Sequence, residues 1–395
     1  MAVVRRKDSR GRVLRDGESE RKDGIYQYRY TRNGKRHTIY GSSLTDLREK
    51  EKEIQDFLNS GVDYASGAIS TLELVQKCVD LKQGARYTTR VSYDFALKRM
   101  KNEDFCQIPI RDVLTSTAKE WIKKLYYEDG YSYNTVVNIK GIVNLAYQMA
   151  YEEDVIRKNP FSFRLRGLIP NNTKQKEALT EEEMEKWLNF LKNDANYCQY
   201  HDEMVVLAGT GLRISEFCGL TLSDLDFQNR RIRVERQLRR TVQGQYFIER
   251  PKTKNGVRFV PMTDAVMGSL KRICSARKIE DDKFTVDGVS GFLLMKNDKP
   301  KVAANIQSEI TGGLRKFQKN HPSESFPHIS AHILRHTFCT NMANRGMAVK
   351  NLQYIMGHSN VSTTLNIYTH SSYEEAAKDM LERCAKAASG AQIRT

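Results

Sequence analysis

The sequence has few cysteines and no long apolar segment, and both absences narrow the class of protein. Its 7 cysteines are odd in number and scattered, and no Cys-x-x-Cys pair occurs. We therefore expect reduced, mostly buried thiols, and neither a disulfide framework nor a metal site. No run approaches the ~18 apolar residues that span a bilayer, and the basic start lacks the apolar segment of a signal peptide. These features predict a cytoplasmic protein without a membrane partner.

Acidic residues are outnumbered in this chain. The 48 Asp and Glu against 64 Lys and Arg give a formal net charge of +16 and a sequence pI near 9.4. This balance predicts an acidic partner, of which nucleic acid is the simplest. Solvated lysines explain part of the excess, so charge alone does not separate a DNA enzyme from a ribosome-associated protein. With 395 residues, the chain is long enough for two or three domains.

Six polar residues in the carboxy-terminal half form a complete set for cutting and rejoining a phosphodiester without a metal. Two arginines, a lysine, two histidines and a tyrosine lie in short motifs between positions 213 and 368. They are Arg213 in Thr-Gly-Leu-Arg-Ile-Ser-Glu, Lys254 in Lys-Thr-Lys-Asn-Gly, His332 and Arg335 in His-Ile-Leu-Arg-His-Thr, His358 in Met-Gly-His-Ser-Asn, and Tyr368 in Asn-Ile-Tyr-Thr-His.

Displacement at phosphorus gives several of these residues a distinct role. Charge builds on the non-bridging oxygens, and the forked guanidiniums of Arg213 and Arg335 can clamp them. Tyr368 is the candidate nucleophile, because a phosphotyrosine stores the energy of the broken bond for rejoining. His332 is the candidate base, and Lys254 is the candidate acid for the leaving oxygen. This scheme requires no cofactor.

Residue spacing supports the assignment. His332, Arg335 and His336 stand three and four residues apart, so they share one face of a helix and can meet one phosphate. Arg213 and Glu216 repeat the three-residue offset, which lets the carboxylate hold a guanidinium or a neighbouring histidine. Glu216 is therefore predicted as an accessory residue.

Structural explanations compete with some of these assignments. His332 and His336 have the spacing of a zinc pair, but the Glu that follows the first histidine in metalloproteases is Ile333 here, which argues against zinc. His336 fits a packed histidine better than a catalyst and is left out of the site. Gly357 and His358 fit a helix end with a left-handed glycine cap.

The first 66 residues predict a small basic domain. Side chains alternate in character along residues 25–31, which predicts a strand, Asn33 and Gly34 supply a tight turn, and residues 36–40 form the returning strand. A helix is predicted after Ser43. We expect a three-stranded sheet backed by one helix. Such a sheet can lie in the DNA major groove, although a basic sheet that only aids solubility is the alternative. The exposed face would carry Gln27, Arg29, Lys35 and Arg36.

Residues 67–169 predict a helical bundle, because apolar residues recur at helical spacing until Asn159-Pro160 ends the pattern. Its candidates for phosphate contact include Lys98, Arg99 and Lys140. The polar residues 170–178 predict a linker that lets two domains close around DNA. Residues 179–395 predict a mostly helical α/β domain with a strand-rich interval at 231–262 and a tail.

The catalytic motifs together resemble the catalytic half of the tyrosine recombinases, the family of phage integrases and of integrases from conjugative transposons, over about residues 179–381. The resemblance implies a multidomain, mainly α fold with small β elements. Its domains are an arm-type DNA-binding domain at 1–66, a core-binding domain at 67–169, a linker at 170–178 and a catalytic domain with a C-terminal tail at 179–395. The implied catalytic set is Arg213, Lys254, His332, Arg335, His358 and Tyr368, with Glu216 accessory.

The resemblance also implies a reaction and partners. Tyr368 would form a 3′-phosphotyrosine, and four protomers would exchange strands through a Holliday junction without metal or ATP. Double-stranded DNA with core and arm sites would be the partner of a homotetramer in the bacterial nucleoid, with an accessory DNA-bending or excision protein as a further candidate. Lys252 competes with Lys254, which is preferred because it adjoins the Asn255-Gly256 turn signal.

Two rival functions remain at this stage. A type IB topoisomerase uses similar chemistry but rejoins the same strand and works alone, whereas the arm domain and the tail favour recombination. A DNA-binding regulator that had lost catalysis should have lost a catalytic residue, and all of them are present.

Overall fold

Helices form most of the regular structure, and the strands form small sheets, as the sequence predicts. The computed structural model describes residues 6–32, 35–59, 66–173, 177–251, 256–278, 283–368 and 381. The chain divides into two units, residues 1–174 and residues 175–395. In the part of the chain so described, none of the helices has both the length and the apolar sequence that a bilayer span requires.

The chain begins with the predicted three-stranded antiparallel sheet backed by a helix. Tyr26 is buried against Leu44 and Leu47 of the helix, while Arg29 on the other face is exposed, so the sheet has one apolar and one polar face. The Ser43 hydroxyl accepts a hydrogen bond from the backbone N–H of Asp46 at 3.1 Å and starts the helix. The elements are β1 (Glu18–Glu20), β2 (Tyr26–Arg32), β3 (Lys35–Gly41) and α1 (Leu44–Asn59), with strand order β1-β2-β3.

The rest of the first unit is a helical bundle with an aromatic centre. Phe161 is fully buried, and its ring lies 6.0 Å from Phe105, 6.0 Å from Trp121 and 5.1 Å from Tyr147. Ser70 begins the first helix of the bundle with a capping box. The helices are α2 (Thr71–Asp80), α3 (Tyr87–Met100), α4 (Thr115–Tyr127) and α5 (Tyr133–Glu152).

In the second unit, helices and short strands surround a large apolar cluster. Its helices are α6 (Glu181–Asn193), α7 (His201–Thr210), α8 (Ile214–Cys218), α9 (Asp264–Ser275), α10 (Ala303–Asn320), α11 (Ala331–Asn344), α12 (Val349–Met356) and α13 (Val361–Tyr368). Its strands are β4 (Leu225–Asp226), β5 (Arg231–Val234), β6 (Gln237–Arg240), β7 (Tyr246–Glu249), β8 (Arg258–Pro261), β9 (Met295–Lys296) and β10 (Lys299–Pro300), paired as β4-β5-β8, β6-β7 and β9-β10.

Strand β8 has an unusual inward face. Val260 is buried as an inward strand residue should be, and Phe259 between the two inward positions is 41 % exposed. The other inward residue is Arg258, whose side chain is fully buried. A charged side chain in that position needs partners inside the protein, because burying an unpaired charge is costly.

Truncation of the aromatic centre tests the packing of the bundle. Phe161→Ala should lower the free energy of unfolding by about 3–5 kcal/mol, because it leaves a cavity among three other rings. The chain has 2 tryptophans, Trp121 in the first unit and Trp187 in the second. Urea unfolding followed by Trp121 fluorescence in a Trp187→Phe background therefore reports the bundle. Tyr151→Ala, at a 46 % exposed position, is the matched control and should change little.

Candidate active site

Three arginines from distant parts of the sequence meet at the carboxyl end of α12. The last carbonyls of a helix lack partners within it and carry partial negative charge, so guanidiniums bind there favourably. Each arginine donates to a different one of three consecutive carbonyls: Arg258 Nε to Ile355 O at 2.6 Å, Arg335 Nη2 to Met356 O, and Arg213 Nη2 to Gly357 O at 3.1 Å.

Glu216 binds two of these arginines. Its carboxylate accepts from Arg258 Nη1 at 3.2 Å and Nη2 at 2.9 Å, and from Arg213 Nη1 at 2.8 Å. The side chains of Glu216 and Arg258 are both 0 % exposed. Burial raises the pKa of Glu216, but the hydrogen bonds and charge of Arg258, with the charge of Arg213, outweigh burial and lower that pKa to about 2. The carboxylate is therefore ionised at neutral pH.

The predicted clamp arginines are held by different groups. Arg213 caps α8, and its backbone N–H donates to the Glu216 carboxylate at 2.9 Å, while its side chain stays 35 % exposed. Arg335 on α11 is buried and also donates to Gly211 O at 2.5 Å. Burial, together with the charge of Arg213, lowers the pKa of Arg335 to about 9, so the guanidinium remains charged at pH 7.

His358 follows directly on this helix end. Gly357 adopts the left-handed conformation with φ +60° that the sequence predicts for the cap of α12. The His358 Nδ1 atom lies 3.0 Å from Thr364 Oγ1 on α13. Burial and the charges of Arg335 and Arg213 lower the pKa of His358 to about 4, so its ring is neutral at pH 7.

The cluster carries more positive than negative charge. Arg213, Arg258 and Arg335 bring three guanidiniums, and Glu216 brings one carboxylate. The carboxyl end of α12 offsets roughly half a charge more. An anion with several oxygen acceptors would complete this arrangement, and a phosphodiester is such an anion.

The remaining catalytic candidates are placed to different degrees. His332 is exposed on α11, one turn before Arg335, and His336 is half-buried. Tyr368 is the last residue of α13, which packs against α11 and α12, but its side chain lies outside the described residues. Lys254 and its competitor Lys252 also lie outside them. In the part of the chain that is described, no three His, Cys, Asp or Glu side chains are grouped to hold a metal ion.

The candidate DNA contacts of the first unit also differ among themselves. Arg29, Arg36 and Lys98 are exposed, and the side chain of Lys35 lies outside the described residues. Gln27 is half-buried, and its Nε2 donates to Ser19 Oγ at 2.9 Å.

Arg99 and Lys140 are bound within their own unit. Arg99 pairs with Glu103 and Asp129. Lys140 donates to Phe161 O at 2.7 Å, and burial lowers the pKa of its ammonium. Contact of either side chain with a phosphate would require these bonds to break.

Arg258 is the residue of this cluster that the sequence analysis did not identify. Strand alternation offered a signal, because Arg258 shares the inward face of β8 with the buried Val260. A charged residue that shares an inward face with a buried apolar residue predicts a buried partner, but the alternation does not say which carboxylate provides it.

Comparison with known proteins shows which family the chain belongs to. The model of the phage integrase family matches residues 177–375, and the model for the DNA binding domain of Tn916 integrase matches residues 2–58. The transposase from transposon Tn916 of Enterococcus faecalis is 39 % identical over 391 residues, which cover 95 % of this chain and 96 % of that protein. The chain is a tyrosine recombinase of the phage integrase family. The transposase from transposon Tn1545 of Streptococcus pneumoniae is equally similar, with 39 % identity over 391 residues, 95 % of this chain and 96 % of that protein.

Solved structures show the same fold. The Tn1549 transposon integrase in complex with a circular intermediate DNA superposes with a TM-score of 0.76 and 37 % identity, covering 80 % of this recombinase and 99 % of that chain. A lambda integrase tetramer bound to a Holliday junction has a TM-score of 0.53 and 17 % identity, covering 90 % of this chain and 96 % of that one, and shows likeness of fold alone. The predicted family, enzyme class and fold class are thus confirmed.

The Glu216 carboxylate should make stability depend on pH. Its folded pKa of about 2 lies below the ordinary 4.5, so its contribution is present above pH 4.5 and is lost as the pH falls toward 2. Glu216→Gln should therefore cost about 3 kcal/mol of unfolding free energy at pH 7 and progressively less below about pH 4.5. Urea unfolding at several pH values, followed by Trp187 in a Trp121→Phe background, measures this difference.

Glu181→Gln is the control for that measurement. Glu181 forms an exposed pair with Arg345, and such pairs contribute little. A cost of Glu216→Gln that stays constant from pH 7 to about pH 3 would contradict the assignment of a depressed pKa.

Proposed function

We propose that this recombinase cuts and rejoins double-stranded DNA at specific sites to integrate and excise a transposon. The observation that carries the proposal is the cluster at the carboxyl end of α12. Arg213 and Arg335 donate to consecutive carbonyls there, His358 follows directly, and positive charge is in excess. A scissile phosphate would supply the missing negative charge. The similarity to transposases from transposons Tn916 and Tn1545 supports the mobile element as the source of the DNA.

In the proposed reaction the Tyr368 phenol attacks the scissile phosphorus in line with the departing 5′ oxygen. A bond forms between Tyr368 Oη and phosphorus while the phosphorus–O5′ bond breaks, which leaves a 3′-phosphotyrosine and a free 5′-hydroxyl. His332 accepts the phenol proton, and Lys254 supplies a proton to the leaving oxygen. The 5′-hydroxyl of another strand then reverses these steps. Neither metal nor ATP takes part in this scheme.

Arg213 and Arg335 would hold the non-bridging oxygens of that phosphate. Part of each guanidinium is fixed by carbonyls or by Glu216, so its orientation is set before DNA arrives. His358 would donate from Nε2 to a phosphate oxygen if its Nδ1 accepts a hydrogen bond from the Thr364 hydroxyl.

Helix α13 supports the placement of the nucleophile. Thr364 is buried and lies against His358. Tyr368 follows four residues later, which is about 6 Å along a helix axis. The nucleophile Tyr368 would therefore come from α13, the helix that already contacts His358.

The proposed division of labour follows the predicted domain boundaries. Residues 1–66 would bind arm sites through the polar face of the sheet, supported by the match of residues 2–58 to a DNA-binding domain and by the exposure of Arg29 and Arg36. Residues 67–169 would bind core sites, residues 170–178 would link, and residues 179–395 would catalyse. The Tn1549 integrase was solved in complex with DNA, which supports DNA as the partner of this recombinase.

We further propose that four protomers act together on two DNA sites through a Holliday junction, in the bacterial cytoplasm at the nucleoid. The lambda integrase tetramer solved on a Holliday junction has this fold. An accessory DNA-bending or excision protein is a further proposed partner.

A nicked suicide substrate tests the nucleophile. Tyr368→Phe should abolish the covalent protein–DNA adduct, because phenylalanine has no oxygen to attack phosphorus, and should leave DNA affinity nearly unchanged. Adducts are measured by denaturing gel and affinity by gel shift on the same DNA. Tyr354→Phe, at a 50 % exposed position on α12, is the matched control: it removes a tyrosine hydroxyl that accepts from the backbone N–H of Phe259 and should retain the adduct. An adduct that persists in Tyr368→Phe would show that another residue is the nucleophile.

Salt dependence tests the phosphate contacts of the helical bundle. Lys98→Ala should reduce the slope of log affinity against log salt by about 0.9, because one neutralised phosphate is lost. Lys140→Ala should leave the slope unchanged, since the Lys140 ammonium is bound to Phe161 O. Fluorescence anisotropy with duplex DNA at several salt concentrations measures both. Equal slopes for Lys98→Ala and the parent protein would remove Lys98 from the interface.

A further inference from the structure

Arg258 uses its side chain entirely within the protein. Each of its three nitrogens donates: Nε to Ile355 O at 2.6 Å, Nη1 to Glu216 Oε1 and Gly256 O at 3.2 Å each, and Nη2 to Glu216 Oε2 at 2.9 Å. The residue is 2 % exposed. Arg258 is therefore not available to bind DNA as Arg213 is.

One partner of Arg258 binds a proposed catalytic residue, and another adjoins the carbonyls to which the proposed catalytic arginines donate. Glu216 binds Arg213, and Ile355 directly precedes the two carbonyls to which Arg335 and Arg213 donate. Arg258 thus joins β8, α8 and α12 at one buried point. An ordinary structural ion pair would stabilise the fold, but it would not contact the supports of all these side chains.

The guanidinium also packs against the backbone that leads to His358. A Cβ atom at Gly357 would lie 2.9 Å from Arg258 Nη1 and 3.0 Å from its Cζ, so glycine leaves the space that Arg258 occupies. Gly357 is the residue before His358, and its carbonyl accepts from Arg213. Movement of Arg258 would therefore remove a packing contact from Gly357, the residue before His358.

We propose that Arg258 is a positioning residue for DNA strand cleavage, which fixes Glu216 and the end of α12 so that Arg213, Arg335 and His358 keep their geometry before DNA binds. The inference rests on the proposed function, since it assigns Arg258 a part in that reaction. Donors that are fixed in advance lower the barrier because they need no reorganisation when charge develops. Arg258 is also the first residue of β8, and Lys254 precedes it by four residues in the sequence.

Substitution of Arg258 should slow cleavage more than it weakens binding. Arg258→Met removes the guanidinium and all of its N–H donors. Arg258→Lys keeps the positive charge, but its single ammonium replaces a planar group that binds a carboxylate and a carbonyl at the same time. We expect the single-turnover cleavage rate at saturating DNA to fall about 100-fold in Arg258→Met, with partial rescue by Arg258→Lys. The dissociation constant for DNA should change by no more than about 3-fold.

Lys301→Met is the matched control for loss of a buried charge. Lys301 is 4 % exposed and pairs with Glu203 at 2.6 Å and Glu309 at 3.1 Å, and these partners do not contact the arginine cluster. Its removal should destabilise the second unit as that of Arg258 does, while the cleavage rate of the folded fraction stays within about 3-fold of the parent. Rates are compared at a temperature at which circular dichroism shows each variant folded.

The titration of His358 provides a readout that loss of stability alone would not move. The charge of Arg258 contributes to lowering the pKa of His358, and the Glu216 charge opposes it. Arg258→Met should therefore raise the pKa of His358, whereas Lys301→Met should leave it unchanged. Carbon-13-labelled histidine, with the signal assigned by His358→Gln, reports this pKa by NMR in the full chain.

The outcomes separate this inference from the proposed function. If the parent protein forms no adduct on the suicide substrate, the proposed function fails first. If the parent forms the adduct and Arg258→Met cleaves within about 3-fold of its rate, Arg258 has no positioning role. An equal loss of rate in Lys301→Met, or an unchanged His358 pKa in Arg258→Met, would likewise reduce Arg258 to a stabilising ion pair.

Discussion

The buried carboxylate of Glu216 is the constraint on which the rest of the site depends. The guanidiniums of Arg213 and Arg258 bind it, and that of Arg335 donates to a carbonyl at the end of α12. Like charges about 4 Å apart repel by roughly 4 kcal/mol at an effective dielectric constant of 20, so such a group of arginines needs an anion inside the protein. Glu216 lies in the short helix α8, three residues after Arg213, which caps that helix, and this local spacing makes the support independent of DNA.

One carboxylate is not enough to neutralise the cluster, and this imbalance has a chemical consequence. Burial and neighbouring positive charge keep His358 neutral at pH 7 and lower the pKa of Arg335. A phosphate placed among them would relieve the repulsion and raise both pKa values, so binding and protonation are coupled at this point. In the proposed function, the basic composition of the whole chain, +16, would attract the DNA, whereas the local excess of charge would select one phosphate within it.

Local sequence signals predicted much of this molecule, and long-range pairing was what they could not predict. Helical spacing predicted the bundle that contains α2 to α5, Ser43 predicted the start of α1, and the three-residue offset of Arg213 and Glu216 indicated their contact. Arg258 was missed because its partner lies 42 residues away in the sequence. Arg99 and Lys140 show the same limit, since composition reveals a positive charge but not whether a carboxylate or a carbonyl of the same unit already holds it.

The use of backbone carbonyls to hold the arginines has its own logic. Gly211 and Gly357 both adopt left-handed conformations at helix ends, which turn their carbonyls toward Arg335 and Arg213. A Cβ at Gly211 would come 2.4 Å from Phe338 Cδ1, so packing as well as φ demands glycine there. A carboxylate in place of each carbonyl would orient the guanidiniums equally well but would cancel their charge. Neutral acceptors fix the direction of the donors and leave the positive charge for the phosphate of the proposed reaction.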